Sequence, residues 1–224
     1  MLLLAVDTSG KNGSLALAWV AASGNAVEVV EEVALAGGSL SSQLVPQTVA
    51  LLTKYGCSKS DLSYFAVAWG PGSFTGLRVG LAAIKAMGEI LCKPIAAVSL
   101  LEVVARSGAA EGRVLAVLDA GRSELYVGDY DLGPPVRMHS ERLLSRDELF
   151  SESAGQLVVT PDPNFAEVAR GAGLRVEQVG YPSAAAIARL GWERIQRGQT
   201  VRPENLDANY IRRTDAEIFS KPKL

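Results

Sequence analysis

The sequence contains a single histidine, His139. Metal motifs that need two, such as HxxxH and HExxH, are therefore excluded. A Ser-His-Asp triad would have to use His139, which lies in the charged stretch Arg137 to Arg142 and is expected at the surface. Cysteine is as scarce: Cys57 and Cys92 are far apart and form no CxxC pair, which fits two reduced thiols rather than a disulfide framework or a metal clamp. Positive charge in excess is missing too. The formal net charge is −2, so any nucleic-acid contact must be local or supplied by a partner. No apolar run approaches the roughly 18 residues of a membrane span. The opening Met1 to Val6 stops at Asp7 and lacks a basic start, so neither a leader nor a membrane location is expected, and the reading is a cytoplasmic protein.

What remains is an ordinary globular composition, 48% hydrophobic over 224 residues, enough for one large domain or two small ones. Leu2 to Val6 reads as a buried strand closed by Asp7-Thr8-Ser9-Gly10. Ser14 to Val20 and Val27 to Leu35 complete a meander. Helical spacing takes over from Leu40 to Tyr55, with Pro46 expected to mark the true start or a kink. Tyr64 to Trp69 is a second buried strand, followed by Gly70 to Gly76 and a helix to Leu91 with Ser73 as N-cap. Ile95 to Val98 is a strand and Ser99 to Arg106 a short helix. Then the opening recurs. Val114 to Gly121 again places an apolar strand before Asp and small residues, and Leu125 to Tyr130 follows as Leu15 to Val20 did. Two duplicated α/β halves are expected, 1–108 and 109–224. Further on, Leu157 to Thr160 reads as a strand, Asn164 to Arg170 and Ser183 to Arg197 as helices, and the tail as partly extended.

The glycine-rich loop is the sharpest local feature. It is no Walker A loop, since no Lys follows Gly76, and its third glycine is one place late for a dinucleotide fingerprint. A tight strand-to-helix turn is favoured over a phosphate site, although helix N-termini do bind anions. Behind it, Gly76, Gly80, Ala83 and Met87 share one helical face and Leu77, Leu81, Ile84 and Leu91 another, the pattern of a helix covered on more than one side. Asp7 and Asp119 head the two repeats. They are either turn caps or a phosphate-and-metal pair of the kind found in actin-like ATPases. Six arginines at 189, 194, 197, 202, 212 and 213, with Trp192 and Tyr210 between them, could touch RNA phosphates, though an amphipathic helix and solvated tail explain them as well.

Taken in order, Leu4 to Ser9, Gly70-Pro71-Gly72-Ser73-Phe74-Thr75-Gly76-Leu77-Arg78-Val79-Gly80, Leu118 to Tyr126 and Asn209 to Arg213 resemble the TsaB (YeaZ) family. Two departures are Ser41-Ser42, where the family has His-Ser, and Asp119-Ala120-Gly121-Arg122, where it has Asp-Ala-Arg. The resemblance implies a duplicated actin-like (sugar-kinase-like) α/β fold. It implies a non-catalytic scaffold for TsaD, the paralogue that transfers threonylcarbamoyl to the tRNA adenosine beside the anticodon, with TsaE joining them. No cofactor is then expected on this chain, ATP or ADP and metal belonging to the partners, and tRNA is met only through the complex. The alternative is an autonomous ATPase or phosphotransferase using Asp7 and Asp119, and a peptidase is a third reading that the lone histidine opposes. A nucleotide or anion contact at the complex interface would fall to Asp7, Thr8, Ser73 and Thr75. The partner surface is expected on two helices, through Leu44, Val45, Thr48, Leu51 and Leu52 of the first and Gly76, Gly80, Ala83, Ile84 and Met87 of the second, packed closely at Gly80 and Ala83. The same surface would serve a homodimer, in competition with TsaD. Gly80→Arg or Ala83→Glu should then block association without unfolding the chain.

Overall fold

Leu2 to Val6 has no polar residue to turn outward, and both its faces are buried. Leu2, Leu4 and Val6 enter one core cluster, while Leu3 and Ala5 enter another. This strand, β1 (Leu2–Asp7), is the middle of a five-stranded sheet in a computed structural model that describes residues 1–22, 24, 26–108, 111–153 and 155–211. Antiparallel β2 (Gly13–Val20) and β3 (Val27–Leu35) lie on one side of β1, and parallel β4 (Leu62–Gly70) and β5 (Ile95–Ser99) on the other. Helix α1 (Leu40–Lys54) connects β3 to β4, α2 (Phe74–Leu91) connects β4 to β5, and α3 (Leu100–Ser107) follows β5.

The second half repeats this plan element for element. The strands β6 (Arg113–Gly121), β7 (Glu124–Asp131) and β8 (Arg137–Ser145) form a meander, and β9 (Leu157–Thr160) and β10 (Arg175–Gln178) run parallel to β6. Helices α4 (Arg146–Glu152), α5 (Pro163–Gly171) and α6 (Ala184–Gln196) take the places of α1, α2 and α3. The sheet orders, β3-β2-β1-β4-β5 and β10-β9-β6-β7-β8, are one topology used twice. The fold is the duplicated α/β arrangement expected from the repeat, and the actin-like form of it that the resemblance implies.

Leu44, Leu51, Leu52, Leu77, Leu81 and Ile84 bring α1 and α2 onto one face of the first sheet. Its other face is covered from across the sequence. Ile187, Ala188, Leu190 and Trp192 of α6 pack there against Ala5, Ala16 and Ala66. In exchange Leu101, Val104 and Ala105 of α3 pack on the second sheet against Val114, Ala116 and Tyr130. Small residues make this fit: a Cβ on Gly191 would lie 2.4 Å from that of Ala66. The strands of the two sheets separate at the repeat junction, whereas α3 and α6 cross it.

Polar bonds join the crossing helices. Arg106 donates to both carboxylate oxygens of Glu193 at 2.8 and 3.0 Å, and Arg194 donates to Glu102 and, at 2.7 Å, to the Ala97 carbonyl. Glu141 of β8 accepts from the hydroxyls of Ser99 and Tyr130 and, at 2.8 Å, from the Asn209 amide. Burial and the Glu141 carboxylate push the Tyr130 phenol well up from its ordinary value.

Several elements depart from the sequence reading. Helix α1 starts at Leu40 and runs through Pro46 instead of beginning there. Pro46 and Ser42, whose carbonyl loses its usual partner, are both exposed, so water can satisfy the gap. The elements β8, α4 and β10 were not anticipated. The edge strand β8, Arg-Met-His-Ser-Glu-Arg-Leu-Leu-Ser, is polar over most of its length, and β10 has only four residues. His139 is exposed on β8, as expected.

Trp192 is 2% exposed and packs edge-on against Tyr64 at 5.2 Å. Trp192→Ala is therefore predicted to cost ~3–5 kcal/mol in urea unfolding. A loss below ~1 kcal/mol would show that α6 does not hold the first sheet.

Candidate functional site

At the end of β1 the chain turns through Thr8-Ser9 and meets the start of α2. Thr8 is 2% exposed. Its hydroxyl donates to the Gly76 carbonyl at 2.7 Å and accepts the Gly80 N–H at 3.1 Å, bridging two residues one helical turn apart. The Ser73 N–H donates to the Ser9 carbonyl at 2.6 Å, and Ser73 Oγ caps the helix by accepting the Gly76 N–H. A Cβ on Gly72 would lie 2.7 Å from Ser9 O, one on Gly76 2.1 Å from Thr8 O, and one on Gly80 2.4 Å from Thr8 Oγ1. The glycines thus form the helix surface on which the β1 turn sits. Main-chain oxygens of Thr8 and Ser9 lie against the first turn of α2.

Asp7 points elsewhere. With Ser9, Lys11, Asp119, Tyr126, Asp162 and Tyr181, it lines a cleft of about 520 Å³ between the ends of β1 and β6. Both repeat-heading aspartates therefore face one space. Asp7 is 6% exposed, and its Oδ1 accepts the Ser9 N–H at 2.9 Å and the Ser9 hydroxyl at 2.6 Å. Burial raises its pKa and the negative charge of Glu32 adds to this, outweighing the two Ser9 bonds. Asp119 Oδ1 accepts the Gly121 N–H at 3.0 Å. Asp162 caps α5 by accepting the N–H groups of Asn164 and Phe165 at 2.8 and 3.1 Å. Partial burial, then Asp162 and Asp119, push the Tyr181 phenol up. The β6–β7 connection is a two-residue turn at Arg122 and Ser123, both with positive φ, where the first half has the longer loop to Gly13. Among the described residues no group of three or more His, Cys, Asp or Glu has a metal-holding arrangement.

The residues expected at an anion contact are not brought together. Asp7 lines the cleft, the Thr8 hydroxyl is consumed inside α2, and Ser73 and Thr75 are exposed and do not line the cleft. Lys11, Tyr126, Asp162 and Tyr181 were not singled out from the sequence. Only Asp162 carried a signal there, as an Asp before Pro163 at a helix start.

The expected partner residues also divide. Leu44, Thr48, Leu51, Leu52, Gly76, Gly80 and Ile84 are buried in the monomer, and Ala83 and Met87 are half-buried. Gly80 in particular faces Thr8 and not a partner, because the small stripe of α2 is turned toward the β1 turn. Val45 alone of the set is exposed, at 56%. Also exposed are Val49 at 57% on α1 and Ala82, Ala86 and Ile90, the last at 76%, on α2. The arginines divide as well. Arg194 is held by Glu102 and Ala97, Arg197 lies 3.7 Å from Glu193, and Arg202 lies 3.9 Å from Glu204. Arg189 is exposed, and Arg212 and Arg213 lie outside the described residues.

Residues 34–144 match the family model described as TsaD, tRNA N6-adenosine threonylcarbamoyltransferase. The tRNA threonylcarbamoyladenosine biosynthesis protein TsaB of Escherichia coli is 28% identical over 227 residues, covering 95% of each chain. The Bacillus subtilis protein of the same name is 34% identical over 131 residues, a match spanning 58% of this chain and just over half, 55%, of that relative. YeaZ from Pseudomonas aeruginosa superposes with a TM-score of 0.73 at 26% identity, covering 93% of this chain and 99% of that one. In sequence and in fold the chain is similar to the TsaB (YeaZ) proteins. A second P. aeruginosa structure, described as an uncharacterised protein with similarity to peptidase YeaZ, gives a TM-score of 0.75. A ROK family protein from Streptococcus pneumoniae, 10% identical with a TM-score of 0.51, shares the fold alone.

Two of the stretches that resemble TsaB touch each other. Arg78, on the signature helix, stacks its guanidinium 3.6 Å from the Phe74 ring centre and donates to the Tyr210 hydroxyl at 3.0 Å, and Phe74 and Tyr210 lie 5.0 Å apart. The Asn209 N–H donates to the Trp69 carbonyl at 2.8 Å, so the closing segment runs along the base of the signature loop.

Gly76→Ala is predicted to cost about 3 kcal/mol or more, because a backbone oxygen cannot give way, whereas exposed Thr75→Ala should change stability by no more than ~0.5 kcal/mol. Urea unfolding of both variants checks this, and equal midpoints would contradict the contact. A second prediction concerns Asp7. A carboxyl whose folded pKa is raised holds its proton more tightly folded than unfolded, so its contribution favours folding below the ordinary aspartate range and is lost as pH climbs to the raised value. Asp7→Asn, which keeps an acceptor for Ser9, should therefore gain stability relative to the parent chain as pH rises through that window. A gain independent of pH would contradict the buried-charge assignment.

Proposed function

We propose that the chain is a non-catalytic subunit of the assembly that adds threonylcarbamoyl to the tRNA adenosine beside the anticodon, where it binds TsaD and, with it, TsaE. The names of the E. coli and B. subtilis relatives support the process. The observation that carries the scaffold role is the outer side of α1 and α2. Val45 and Val49 on α1 and Ala82, Ala86 and Ile90 on α2 stand in water on helices whose inner sides are already packed. Apolar side chains left exposed on two helices that pack together support an interface there. A homodimer through the same surface would compete with TsaD.

Other features fit a role without chemistry of its own. The oxygens of Thr8 and Ser9 against the first turn of α2 and the tight second hairpin both speak against a phosphate cradle. Nucleotide and metal then belong to the partners, and the net charge of −2 suits contact with tRNA only through the assembly. No helix among the described residues is long and apolar enough to cross a membrane, in keeping with a cytoplasmic place for this work.

Val49→Glu and Ile90→Glu put a charge on this surface without touching the core. Each should weaken TsaD binding by ~100-fold, about 3 kcal/mol, while leaving the melting curve of the free chain unchanged. Titration calorimetry against TsaD from the same genome measures this, and parent-like affinity in both variants would refute the surface. The purified chain should show no turnover of ATP. Hydrolysis abolished by both Asp7→Ala and Asp119→Ala would instead establish the phosphotransferase reading.

A further inference from the structure

The cleft between the ends of β1 and β6 keeps a shape and charge that partner binding on α1 and α2 does not use. Three carboxylates line it, Asp7, Asp119 and Asp162, against one basic side chain, Lys11, among the described lining residues. Glu32 adds negative charge behind Asp7. Asp7 is the telling member. It is 94% buried by its 6% exposure, and both Ser9 hydrogen bonds go to Oδ1. Oδ2 has no hydrogen-bond partner among the described residues and is not sealed from solvent, so its free acceptor opens on the cleft. A buried carboxylate left half-satisfied in a cavity is a group waiting for a donor.

The remaining walls define the donor. Tyr126 and Tyr181 present aromatic surface, with Leu100 and Leu118 beside them. Carboxylates combined with aromatic and aliphatic walls suit a cation carried on a short alkyl chain. The same lining repels phosphate, and the α5 N-terminus that reaches it is already capped by the Asp162 carboxylate. We propose that this cleft binds a small organic cation, an alkylammonium or alkylguanidinium ion, its charged group held by Asp7 and Asp119 and its chain lying against Tyr126 and Tyr181. Asp162 contributes charge while its Oδ1 continues to cap α5. About 520 Å³ admits a molecule the size of putrescine or agmatine, not a folded partner.

The experiment is calorimetric titration of the full chain with putrescine and with agmatine at physiological salt, alongside magnesium-ATP and inorganic phosphate. Saturable one-to-one binding of at least one amine is expected, with no heat from the two anions. Asp119→Asn, at an exposed position, should weaken amine binding tenfold or more, as should Tyr181→Ala. Asp7→Asn should do the same and keep its fold, since the amide oxygen can still accept from Ser9, and a melting curve monitors this. If that variant does not fold, Asp119→Asn alone decides. Absence of saturable amine binding overturns the proposal. So does amine affinity unchanged in Asp119→Asn and Tyr181→Ala, which would mark diffuse attraction to an acidic surface, and so does tighter binding of magnesium-ATP than of either amine.

Discussion

The contact between the β1 turn and the glycine face of α2 governs the rest of the structure. Thr8 bridges Gly76 and Gly80, and no side chain larger than hydrogen fits at either glycine. This clamp sets the rotation of α2 about its axis. Leu77, Leu81 and Ile84 are thereby delivered to the core, and Ala82, Ala86 and Ile90 to the outside. It also sets main-chain oxygens of Thr8 and Ser9 against the first turn of α2, while Asp7 lines the cleft.

The halves are bound by exchange and not by a simple seam. Each repeat ends in a helix that packs on the other repeat's sheet, and Arg106, Glu193, Arg194 and Glu102 join the two helices where they pass. These are half-buried ion pairs whose value is chiefly orientation, since desolvation offsets much of their attraction. Arg194, which by composition looked available to RNA, is a structural residue for this reason. The closing segment adds a further link, with Asn209 bonded both to Trp69 of the first sheet and to Glu141 of the second.

The sequence disclosed the repeat through two apolar strands ending in Asp, and the strand order proves it. Long apolar runs such as β1 and strongly periodic helices such as α2 were legible because one period explains all their residues. The polar edge strand β8 and the short β10 were not, since neither has a core-facing pattern long enough to register. The direction in which α2 turns its small stripe was also hidden. Small residues every third or fourth position announce a close approach but not by what, and here the approaching group is the chain's own Thr8, not a partner helix. Similarly, Asp7 and Asp119 could be paired from the repeat, while Tyr181 and Asp162 reach the same cleft only through the fold.

The outer side of α1 and α2 is the surface on which the proposed scaffold role stands or falls. Amide hydrogen exchange of the chain, free and saturated with TsaD, reads it directly. Slowed exchange should appear in the segments spanning Val45 to Lys54 and Ala82 to Ile90 and leave β8 and α4 unchanged. Protection gained over β7 to α4 with none on α1 or α2 would contradict it.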